Sequence, residues 1–203
     1  MKIGVIGIGK MGGTIARRWS EKGHGVRVAN SRGPQEVEKF ADEIGADPAD
    51  IYGAVEGADV VLLSMPFPAV SKLPNDLFNQ AAEDVAIIDT ANYFPDLRDP
   101  HIAEIDAGMP ESVWTSQQLG RPIFKAFNSI MFYSLSELGK PAGSPDRLAI
   151  PVAGDNARAK QIVMGLVNDT GFDPVDGEDA RRDQGCGQGQ GGDDSRQRVE
   201  GEI

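Results

Sequence analysis

Residues Gly7-Ile8-Gly9-Lys10-Met11-Gly12 have the spacing G-x-G-x-x-G. They follow an apolar run at 2–6 and open a segment, 11–22, whose Met11, Ile15 and Trp19 recur at helical spacing. In that strand–turn–helix context the pattern suits a dinucleotide pyrophosphate. Gly7 permits the tight turn, Gly9 lets the phosphates approach the backbone, and Gly12 lets the helix pack against the sheet. Unpaired N–H groups and the positive end of the helix then face the anion. The bland alternative is a glycine-rich turn with no ligand.

A second discriminating position lies where the next apolar run ends. An NAD enzyme places a carboxylate there for the ribose 2′-hydroxyl. This chain has Asn30-Ser31-Arg32 instead. Ser31 can donate to a 2′-phosphate and Arg32 can pair with it, so the residues favour NADP. Alternatively, Arg32 is a solvated loop cation. No Ser-His-Asp order or paired carboxylates stand out. His24, His101 and the lone Cys186 argue against a metal site.

These groups need a framework. The 203 residues suffice for a sizeable core. Apolar runs at 59–65 and 85–89 have no polar alternation, as in parallel strands covered on both faces. Alternation of such strands with helical segments implies a doubly wound, Rossmann-type α/β sheet over 1–116. A smaller C-terminal α/β unit follows over 117–176. There the pattern predicts a strand at 122–127, a helix at 129–138, a strand at 148–153, a helix at 156–170 and a strand at 172–175. From Gly177 the composition turns to Gly, Gln, Arg and acids, which predicts a disordered tail over 177–203. The net charge of −11 argues against a nucleic-acid partner. Apolar runs fall far short of a membrane span, and a single cysteine suits a reducing cytoplasm.

The chain resembles the NADPH:coenzyme F420 oxidoreductases and their bacterial relatives. The resemblance is carried by Gly7–Gly12, Ala29-Asn30-Ser31-Arg32-Gly33-Pro34, Asp89-Thr90-Ala91-Asn92-Tyr93 and Lys125-Ala126-Phe127-Asn128. It continues through residues 147–155 and 171–176. It implies hydride exchange between NADPH and a 5-deazaflavin, with coenzyme F420 as co-substrate, in a cleft between the two units. Such chemistry needs apposed rings rather than a nucleophile or a metal. A homodimer is expected by the same analogy.

On that reading Ser64, Met65 and Pro66 end a strand over the cofactor crevice, or form an ordinary loop. Asn92 bonds a carboxamide or an acceptor carbonyl, or makes an Asx turn. Lys125 interrupts an apolar strand. Its ammonium faces the acceptor's phosphate or the anion of the reduced deazaflavin, or snorkels at an edge. Asn128 contacts the acceptor or caps the following helix. After Asp176 the chain departs from the family's ending, through a frame change or divergence. This leaves a second reading, a non-catalytic NADPH-binding sensor or partner protein.

Overall fold

The computed structural model describes residues 1–177. The tail expected over 177–203 lies, from residue 178 onward, outside the described residues. Six parallel strands form the main sheet: β1 (Lys2–Ile6), β2 (Gly25–Ala29), β3 (Asp47–Pro48), β4 (Val60–Leu63), β5 (Ala86–Asp89) and β6 (Phe124–Lys125). Their spatial order is β3-β2-β1-β4-β5-β6, the doubly wound Rossmann order. The helices are α1 (Lys10–Glu21), α2 (Glu38–Ile44), α3 (Ile51–Val55), α4 (Ala103–Asp106), α5 (Glu111–Leu119), α6 (Phe132–Glu137) and α7 (Ala157–Asp169). Strands β7 (Ala149–Val152) and β8 (Asp173–Asp176) make a second, parallel two-stranded sheet.

The apolar runs behave as strands buried on both faces. Every residue of β4 and β5 is buried. Val60, Leu62 and Ile88 join a core with Ile15, Trp19, Val163 and Phe172. Val61, Leu63 and Ile87 point to the opposite core, with Val55, Phe67 and Trp114. Phe67 stacks on Trp114 at 5.0 Å between ring centroids.

Helix α1 joins the two sheets. The Trp19 indole donates to the Leu166 carbonyl of α7 at 2.9 Å and meets the Phe127 ring edge-on. Arg18 donates to the carbonyls of Thr170 and Ser136 at 2.7 and 2.8 Å. The backbones of Lys125 and Ala153 exchange two hydrogen bonds, an antiparallel bridge from β6 toward β7. The main sheet therefore runs on past residue 116, where the sequence suggests that the first unit ends.

Two local expectations change, and two short elements are unexpected. The strand expected over 122–127 shrinks to Phe124–Lys125, and two residues beyond its end Phe127 takes a left-handed φ of 66°. The helix expected from 129 begins at Phe132, with Met131 at its N-cap, so Asn128 does not cap it. The short β3 and α3 have no clear periodicity. Asp50 caps α3 by accepting from Gly53 N–H at 2.7 Å. Among the described residues no helix is long and apolar enough to cross a membrane.

Candidate functional site

The glycine turn shows what each glycine is for. Gly7 has φ +99°, which side-chain-bearing residues rarely adopt. A Cβ there would also collide with the Ser64 carbonyl. A Cβ at Gly12 would collide with the Gly7 carbonyl and the Ser64 side chain. These two glycines are demanded by the fold. Gly9 is different: its φ is −65°, open to any L-residue, and a Cβ would meet nothing within 4 Å among the described residues. The fold leaves this position free, and it borders open space at the N-terminus of α1. Among the described residues no side chain caps that helix, and no acid occupies its first turn, so they leave its positive end uncovered.

Strands β1, β4, β5 and β6 end on the same side of the sheet, as parallel register requires. Ser64 N–H bonds the Ile6 carbonyl at 2.9 Å and Thr90 N–H bonds the Leu63 carbonyl at 3.1 Å. The two hydroxyls, on Thr90 and Ser64, lie 3.3 Å apart. A cleft of about 300 Å³ opens above them. It gathers Gly9, Lys10, Met11, Ser64, Met65, Pro66, Asn92 and Asn128, eight of the residues singled out in the sequence. Gly7, in the turn, and Gly12, in the first turn of α1, are outside its lining, and Ile8 lines the neighbouring groove along α1.

Asn92 and Asn128 meet each other. The Asn92 amide donates to the Asn128 carbonyl at 2.7 Å, and the Asn128 amide donates to Asn92 Oδ1 at 3.3 Å. Neither an Asx turn at Asn92 nor a helix cap at Asn128 is formed. Asn30 does make an Asx turn, accepting from Arg32 N–H at 2.8 Å. Asn30, Ser31 and Arg32 form an exposed turn after β2, outside the lining of the cleft. Arg32 is paired with Glu36, four residues on, at 3.3 Å, a surface contact of small energetic worth.

Lys125 corrects an expectation. Its ammonium does not face the cleft. It is 1 % exposed and paired at 3.1 Å with Asp89, itself 1 % exposed, and it also donates to the Ala91 carbonyl. The other Asp89 oxygen accepts from Ala91 N–H at 2.9 Å. A buried ammonium needs such a partner, because burying it alone costs several kcal/mol, roughly, even after relaxation. The pair therefore clamps the backbone immediately before Asn92.

Sequence reasoning passed over Thr90, Phe94, Arg98, Phe127 and Ile130, which also line the cleft. Arg98 stands over the Phe94 ring, 5.1 Å from its centroid, and forks onto Asp99 at 2.9 and 2.8 Å. Those bonds hold the Asp99 carboxyl below its ordinary value, against the opposing effect of burial; the Phe94 N–H assists. Adjacent unlike charges beside an aromatic were the available signal. On the same segment, His101 bridges Asp96 at 2.8 Å and Asp106 at 2.7 Å. Its hydrogen bonds to these carboxylates, Asp96 first, raise its pKa. Among the described residues no group of His, Cys, Asp and Glu could hold a metal.

The strand order defines a Rossmann-type, doubly wound α/β framework. Residues 2–93, somewhat under half of the chain, match the family described as NADP oxidoreductase, coenzyme F420-dependent, so the resemblance holds over that stretch. A stretch of 35 residues is 66 % identical to the Escherichia coli (strain K12) protein YjhV; it spans 17 % of this chain and 26 % of that protein. The hypothetical protein SMa0349 of Sinorhizobium meliloti shares the fold with a TM-score of 0.73 and 24 % identity, over 90 % of this chain and 87 % of that one. A candidate F420-dependent NADP reductase of Arthrobacter sp. FB24 shares it with a TM-score of 0.67 and 20 % identity, over 89 % and 86 %. The imine reductase of Myxococcus stipitatus, solved with NADP+, gives 0.64 and 16 %; the chain spans 56 % of its length. The family match supports an NADP-dependent oxidoreductase.

Proposed function

We propose that the protein is an NADPH-dependent oxidoreductase that exchanges hydride with a 5-deazaflavin of the coenzyme F420 type. The observation that carries the cofactor half is Gly9. The fold needs no glycine there, yet the space of a Cβ is kept clear at an uncapped helix N-terminus. A pyrophosphate approaching the backbone accounts for both features. Ser31 and Arg32 would take the 2′-phosphate, Arg32 exchanging its weak surface pair with Glu36 for a charge-assisted bond. The family match over residues 2–93 supports the deazaflavin half.

Bound NADPH would supply a hydride from nicotinamide C4, which a deazaflavin takes at C5 while its N1 accepts a proton. The chain's task is to hold two rings in apposition and exclude water. Ser64, Met65 and Pro66 would wall the nicotinamide. Asn92, held by Asn128, keeps one amide N–H for a carboxamide or ring carbonyl. Mixing the protein with NADPH and coenzyme F420 and following deazaflavin reduction tests the reading. Catalytic reduction is expected. Tight NADPH binding without hydride transfer would contradict it and leave the sensor reading.

A further inference from the structure

The cleft carries a cation that the cofactor reading does not use. Among the described residues, the only two ionisable side chains that line it are Lys10 and Arg98, both basic, and none of those residues places a carboxylate on it. The chain as a whole has a net charge of −11, so the cleft departs from the general field. Lys10 opens α1 beside the glycine turn and lies over the Phe132 ring, 4.5 Å from its centroid. Arg98 comes from the segment after β5, across the cleft from the turn.

Arg98 is also fixed in place. Its Nε and Nη2 fork onto Asp99, Nη2 donates to the Asn92 carbonyl at 2.7 Å, and the guanidinium stands over Phe94. Asp99 lies behind it, its side chain 3 % exposed, whereas the Arg98 side chain is 48 % exposed. Nη1 makes no hydrogen bond among the described residues. Arg98 is therefore a planar donor held in place on the lining of the cleft, with Nη1 left over and, among the described residues, no carboxylate on that lining. Such a group costs little to order when it binds an oxyanion.

Resting on the function proposed above, we infer that Arg98 is a specificity-determining residue that binds an anionic group, a phosphate or carboxylate, on the hydride acceptor. Its role is distinct from that of Lys10, which belongs to the glycine-turn side.

The test uses two acceptors that share one ring: 5-deazariboflavin 5′-phosphate, and 5-deazariboflavin without the phosphate. Dissociation constants are measured by fluorescence titration of the full chain loaded with NADP+, so the readout does not depend on turnover. The wild type is expected to bind the phosphate form about tenfold more tightly or better. Arg98→Leu is expected to lose that preference, to change the affinity for 5-deazariboflavin less than about twofold, and to leave NADPH affinity unchanged. If removing the partner of Asp99 costs the fold, Arg98→Lys keeps a cation on that carboxylate but loses the planar fork, and is expected to lose most of the preference. Equal wild-type affinity for the two acceptors, equal weakening of both in the variants, or weakening confined to NADPH would overturn the inference. Selective binding without hydride transfer would instead contradict the proposed function and leave this inference standing.

Discussion

The glycine turn after β1 and the face built from the ends of β5 and β6 meet in one cleft, but they are made in opposite ways. The turn works through backbone and empty space, and its parts lie within six residues of sequence. The opposite face works through side chains that engage one another across 36 residues: Asn92 with Asn128, and Lys125 with Asp89. The first region keeps its polar groups open to a ligand. The second spends most of its own on holding the backbone still. A site residue can therefore be recognised by what the fold leaves unexplained, as at Gly9, and dismissed by what the fold consumes, as at Lys125.

Breaking the consumed side should have the largest effect. Lys125→Met leaves Asp89 buried without its cation and should cost about 3–5 kcal/mol. For a chain of this size that lowers Tm by about 6–20 °C in a thermal melt. An unchanged Tm would show that the clamp does not hold the fold. Next come the glycines that the fold itself demands. Gly7→Ala forces a side chain into positive φ and into the Ser64 carbonyl, and Gly12→Ala drives one into the Gly7 carbonyl. Each should cost about 3 kcal/mol or more, read as a lower denaturation midpoint.

On the open side the effects fall on binding. Arg32→Ala should weaken NADPH by about 10- to 150-fold in isothermal titration, because a charge-assisted phosphate contact is lost. NADH affinity and Tm should stay as they are, since the Arg32–Glu36 pair is exposed. Equal loss for the two cofactors would remove the 2′-phosphate assignment.

The smallest effect belongs to the segment that carries Arg98. His101 has a folded-state pKa raised above its ordinary 6.5 by Asp96 and Asp106. Its contribution to stability is complete below that ordinary value and is lost as pH rises through the raised one. Wild-type Tm should fall slightly over that window, and less at high salt; His101→Gln should remove this component of the slope. A variant with the wild-type pH profile would contradict it.

The difference between the two regions also decides what could be read from residues alone. The apolar runs announced β1, β4 and β5, and the glycine spacing announced the turn, because both signals are local. Lys125 in an apolar run suggested a charge facing the cleft or snorkelling at an edge, not a buried one; the carboxylate ending the neighbouring run, Asp89, was the sign to weigh. Arg98 escaped notice because a surface-like Arg-Asp pair has no period, and only the fold brings it to the cleft. Phe127, just past the end of β6, takes a left-handed φ, which no pattern of polar and apolar residues encodes.

The central claim is that position 9 is kept free for a dinucleotide. Its most direct test is the NADPH dissociation constant of Gly9→Val beside its thermal melt. The site predicts a melt close to wild type, since a Cβ meets nothing there, together with loss of NADPH affinity by about 100-fold or more. A variant that melts normally and binds NADPH like the wild type would contradict it.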